Sequence, residues 1–202
     1  VFTAQWTGWP ETTATVTEDL LQSPLPFTSG NLFLKKIGYF WGIIGVLALL
    51  LSAITRLSMR VIEMLDYPMT LLHWLALFGF TLYMAYAEGY KGFHQNFAPR
   101  VIERARIFSG QQGIGSPGFI IFAPLLCMGY IHATRKRKIT TFSLSAMIIV
   151  LIVLVSMMPQ PWRGVIDAGV VFGLLIGVLS ILYFWFRSQN EGWRSPVSAD
   201  FP

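Results

Sequence analysis

The sequence predicts an all-α, polytopic integral membrane protein of about five transmembrane helices, and three observations carry that expectation. Charged residues make up only 12% of the chain against 54% hydrophobic, about half the charge of a soluble domain. With a mean hydropathy of +0.57, too little polar surface remains to face water on every side. Five apolar segments approach the ~20 residues that a helix needs to cross a hydrocarbon core. Most of the seven tryptophans fall near the ends of those segments, as in an interfacial aromatic belt.

The first expected span covers about 37–54 and is closed by Arg56 and Arg60. The second covers about 68–87 and opens on Pro68, which suits the first turn of a helix. The third, about 117–134, is short and carries Pro124 near its middle. It is either a kinked span whose neighbours satisfy the freed carbonyl or a re-entrant hairpin. The fourth, about 140–158, has no charge between Leu144 and Met158. Its β-branched run would suit a strand, but its length favours a helix. The fifth covers about 162–186. Residues 37–187 thus form a transmembrane helical domain between a polar tail at 1–36 and a second polar tail at 188–202. The polar, Thr-rich start of the chain reads as a tail and not as a signal peptide.

Between the second and third spans lies the longest loop, Glu88 to Ser116. Within it Val101, Ile102, Ala105 and Phe108 recur at helical spacing with Arg100, Glu103 and Arg104 between them. This pattern predicts an amphipathic helix, lying in the headgroup layer or packed on the bundle. The Gly-rich run SGQQGIGSPG lacks the lysine and following hydroxyl of a phosphate loop, and reads as a connector.

The net charge of +5 does not point to nucleic acid. Its densest run, Arg135 to Lys138, abuts an apolar segment, as a topology signal does. An odd number of spans puts the termini on opposite sides of the bilayer. The basic residues then divide eight against seven, and the short loop carrying Arg135–Lys138 favours an outside N-terminus and an inside C-terminus. With Cys127 alone, no intrachain disulfide and no cysteine zinc site can form.

The clearest pattern is small residues at helix-packing spacing. Gly169, Gly173 and Gly177 stand four apart in the fifth span, followed by Ser180; Gly38, Gly42 and Gly45 mark the first. Glycines four apart open a groove for close backbone approach, either to the chain's own helices or to another membrane subunit. Charge is expensive in a membrane, so Glu88, His94, Arg163 and Asp167 form a candidate polar cluster, able to conduct protons or hold an anion. The plainer expectation is a set of interfacial ion pairs, with Asp167 balanced by Arg163 one turn earlier. His73 and His132 are weak candidates for haem or metal ligation, since histidines near helix ends also serve as interfacial polar groups. No cofactor is assigned.

No nucleophile elbow, HExxH, Walker loop or CxxC is present. The leading expectation is therefore a non-catalytic structural or accessory subunit of a larger membrane complex, respiratory or photosynthetic, whose partners are the lipid bilayer and other membrane subunits. The alternatives are a small transporter or channel gated at Glu88 and Asp167, and a haem-binding electron carrier using His73 and His132.

Overall fold

The computed structural model describes residues 29–110, 121–131, 133–190 and 192–199. Most of the N-terminal tail, most of the Gly-rich connector and His132 lie outside the described residues. Every regular element among the described residues is helical: α1 (Ser29–Met64), α2 (Leu71–Met84), a π-helical segment (Ala85–Phe97), α3 (Ala98–Gly110), α4 (Ala123–Met128), α5 (Arg135–Ser156) and α6 (Trp162–Arg187). Three of them, α1, α5 and α6, are long and apolar enough to cross a membrane.

The second and third expected spans depart from the sequence reading. The α2 helix has 14 residues, yet the chain does not leave its helical path there. Ala85 (φ −57°, ψ −40°) and Ala98 (φ −60°, ψ −49°) both keep right-handed helical dihedrals, so Leu71–Gly110 is one unbroken rod, wound wider in its middle. Glu88–Phe97, expected as loop, is helical because one face of it is buried against α6. Gly89 and Gly92, with no side chain to clash, ease the wide winding. Of the third expected span, 117–120 and 132 lie outside the described residues, and the six-residue α4 falls within the rest. Pro124 lies in its first turn, where no amide hydrogen is needed. Gly129, at φ 91° in the left-handed region, ends it as a helix-terminating glycine does.

Contacts between elements fix their directions. Near one end of α6, Gly164 packs against Met64 at the end of α1. Near the other, Trp185 meets Phe40 with ring centroids 6.2 Å apart. The two helices are therefore antiparallel. The rod beginning at α2 runs parallel to α6, from His73 against Trp162 to His94 against Ser180. The α5 helix enters the five-residue connection to α6 at Met157, so it runs back against α6. Its first turns touch Gly129 and Tyr130. The start of α1, the start of α5 and the end of α6 hence share one end of the bundle, called here the Arg187 end. The short α4 sits at that same end, with Pro124 and Cys127 against Gly45 and Gly42.

The core gathers at the Arg187 end: Ile43 and Val46 of α1, Val101, Ile102 and Ala105 of α3, Cys127 of α4, and Ile181 and Phe184 of α6. Val101, Ile102 and Ala105 of the amphipathic stripe read from the sequence are thus packed inside the bundle, and the side chain of Phe108 lies outside the described residues. Within this core Arg104 is 1% exposed. It donates to the carbonyls of Leu126 at 2.6 Å, Ile131 at 2.8 Å and Ala199 at 2.7 Å. Leu126 lies in the last turn of α4, and its carbonyl also accepts from the Gly129 amide at 3.1 Å. One guanidinium so joins α3, α4 and the polar segment after α6. Arg100 adds a bond to the Ser198 carbonyl at 3.1 Å, and Arg106 lies over the Trp193 ring at 5.3 Å. By contrast, in α5 only Thr141 and Val155 are buried, and Ile139, Met147, Ile149 and Leu154 all face outward.

Replacing Arg104 with Met keeps the length but takes a donor from three carbonyls. We expect a loss of roughly 3 kcal/mol, read as a lower melting temperature in mild detergent, with earlier proteolytic cleavage after residue 190.

Candidate functional site

The α6 helix organises the candidate residues because two of its faces are nearly bare of side chains. Four residues turn a helix slightly more than one circle, so Gly169, Gly173 and Gly177 stack along one face, and the rod Leu71–Phe97 fills it. A methyl on Gly169 would sit 2.5 Å from the Phe80 ring, one on Gly173 3.1 Å from the Glu88 carboxylate, and one on Gly177 2.7 Å from the Phe93 ring. The approach is reciprocal, since a methyl on Gly89 would meet Ile176 at 2.7 Å. Gly42 and Gly45 do the same for α4, and Gly38 is buried. The glycine face offered to another subunit is thus occupied by this chain's own helix.

Of the four members of the candidate polar cluster, Arg163 and Asp167 act on each other through charge, while Glu88 and His94 lie further along α6. Asp167 is 4% exposed and faces α1, where the Arg60 guanidinium lies 4.0 Å away. Among the described residues its Oδ2 has no hydrogen-bond donor, and neither does the buried Nε of Arg163 an acceptor. Asp167 is thus balanced first by Arg60 across helices and also by the charge of Arg163 one turn earlier, as expected from spacing. Arg60 was legible only as a charge ending a span, because α1 was read as stopping before it.

Glu88 lies on a different flank of α6, against Gly173. Gly173 stands six residues beyond Asp167, about 9 Å along the axis. The expected common level of the two acids fails because the rod and α6 run parallel, so Glu88, late in its rod, comes level with the middle of α6. The carboxylate is half-buried. Among the described residues it has no cation within 4 Å and no hydrogen bond.

His94 lies further on, sharing a 3.1 Å hydrogen bond with Ser180. Its ring lies among Tyr90, Tyr183 and Phe184, at 5.7, 5.8 and 5.2 Å. Ser180 was legible as a small residue continuing the glycine face; its polar role needs the rod's register. Around this aromatic group, Arg187 donates to the Tyr183 hydroxyl at 2.5 Å and Lys91 lies 5.0 Å over the Tyr86 ring.

Of the two histidines proposed as ligands, His73 is among the described residues. His73 closes the start of α2, its Nδ1 3.2 Å from the Thr70 amide that donates to it, and it lies edge-on to Trp162 at 4.7 Å. His132 lies outside the described residues. Among the described residues no group of three His, Cys, Asp or Glu side chains is placed to hold a metal.

No family model, curated protein or solved structure matches this chain, so the reading of the site rests on its geometry.

Gly173→Ile forces a branched side chain into the space of the Glu88 carboxylate. We expect a loss on the order of 2–3 kcal/mol in detergent melting, with normal membrane insertion. Leu175→Ile, at a position 38% exposed, is the matched control and should melt like the wild type.

Proposed function

We propose that the chain crosses a bilayer four times, with both ends of the bundle's chain on the cytoplasmic side, and serves as a non-catalytic subunit of a larger membrane assembly. The three long apolar helices supply three crossings. The rod from Leu71, apolar as far as Ala87, supplies the fourth. The charge distribution supports the orientation. Of the 15 Lys and Arg residues, Arg56, Arg60 and Arg163 lie toward the Asp167 end, and the remaining twelve lie in the half toward Arg187. Cytoplasmic flanks carry such an excess. The near-even division counted from five spans came from sending the long basic loop to the opposite side.

One observation carries the subunit reading. Tyr90, Lys91, Gln95 and Asn96 are exposed at the level of Ile176–Ile181, where α6 itself presents Leu179 outward at 64% exposure. A polar stripe at that depth is costly against lipid. Protein covers it in an assembly, and the residues are suited to hydrogen bonding across helices. The glycine grooves, filled from within, are not the docking surface. The bare sides of α5 offer a second, purely apolar contact. A gate formed jointly by Glu88 and Asp167 has less support, because the two acids lie on different flanks of α6.

Purification in mild detergent followed by native mass measurement tests the assembly. The wild type should carry further membrane subunits. Gln95→Leu with Asn96→Leu should release them while the chain stays folded, and a wild type that runs as a clean monomer defeats the reading. For topology, single cysteines at Asp66 and Thr140 in a Cys127→Ser background should label differently with an impermeant thiol reagent. Asp66→Cys should react in intact cells and Thr140→Cys only after lysis.

A further inference from the structure

We propose that Glu88 is an intramembrane proton-binding site. The proposal goes beyond the subunit reading and depends only on the rod and α6 lying within a bilayer. Three features of the geometry combine. The carboxyl is held at mid-helix, pressed into the place a side chain on Gly173 would take, 3.1 Å from its ideal Cβ. The three elements packed on the π-helical segment bring it no cation. On α6 the acid Asp167 faces α1 and Arg60 instead. On α3, Arg100 and Arg104 bond to carbonyls near Ser198 and Leu126. On α2 the only basic side chain is His73, at the far start of the helix, and Tyr83 is the other ionisable group. Within the segment itself, Lys91 lies over Tyr86 and His94 bonds Ser180.

A carboxylate without a cation or a set of donors is strongly disfavoured in a low-dielectric setting. Taking up a proton removes the charge, and the neutral acid fits the same space. The site also lies in a π-helical segment, a winding that is rare and concentrated at functional positions. Releasing the proton requires a passing cation or water, which is what makes such a group an exchangeable carrier and not an inert one.

A hydrophobic carbodiimide reads the protonated form directly. The acid's proton passes to a carbodiimide nitrogen as its oxygen bonds the central carbon, so the ionised carboxylate does not react. Dicyclohexylcarbodiimide added to the purified full chain in lipid vesicles should give one adduct, mapped by peptide mass to Glu88. Its rate should fall about tenfold per pH unit once the medium is alkaline enough to deprotonate the acid. Glu88→Gln should lose the adduct, and Glu88→Asp should keep it, which separates lost chemistry from lost fold. Equal reaction with a water-soluble carbodiimide would show an acid open to bulk solvent and overturn the proposal. Protection by sodium at constant pH would also overturn it, in favour of a metal-cation site, as would the absence of any Glu88 adduct at acid pH. The assay uses the isolated chain, so it stands or falls apart from whether partner subunits exist.

Discussion

The missing Cβ atoms of α6 are the constraint on which the rest of the bundle turns. Lipid tails are as apolar as leucine, so helices in a membrane gain nothing from hiding apolar surface against one another. What remains is dense contact, and Gly169, Gly173 and Gly177 let the rod from Leu71 come close enough to make it. Close approach also fixes register, because Phe80, Glu88 and Phe93 each have one glycine to occupy. Fifteen residues of the rod, from Phe80 to His94, pass twelve of α6, from Gly169 to Ser180. The wider winding between them reconciles the two lengths, and it brings an acid and a histidine onto the α6 face where a regular loop would have removed both.

At the Arg187 end the dominant contact is of another kind. Arg104 lies in a core built otherwise of Ile, Val and Ala, an expensive location for a charge. Its compensation is geometric: a planar fork of donors meets carbonyls from three separate segments. The pattern of basic and apolar residues that reads as a surface helix is therefore a core helix with one polar pin. The same pin holds the segment that follows α6, which composition alone describes only as a polar tail.

How much of this was legible depends on how far each feature is local. The α6 helix was read to within one residue of its end, because Trp162 and Arg187 bound an uninterrupted apolar run. The first span was placed correctly but cut short at Arg56, since a charge was taken as leaving the membrane when Arg60 in fact meets Asp167 across helices. Within the third expected span, Pro124 and Gly129 act as start and stop of a short helix, punctuation that apolar content alone does not show. The glycines were visible as a groove, but their occupant was not, since Phe80 and Phe93 are thirteen residues apart and look unrelated until the rod is known to continue. Glu88 and Asp167 were both noticed as costly charges. Their separation depends on helix direction, which no single segment encodes.

The nearly bare α5 has a consequence for how this sequence can change. A residue packed on all sides is answerable for its shape, and its neighbours must change with it. Most α5 residues from Leu144 to Leu154 are answerable only for being apolar and helical, so one large aliphatic side chain there serves about as well as another. Drift along that stretch should be fast and uncorrelated, interrupted at Thr141 and Ser145, where the helix meets Gly129 and Tyr130. The glycines of α6 have no such freedom. Two helices of similar composition, adjacent in the chain, would then diverge at different rates, and the contrast would record which of them the fold uses as a template.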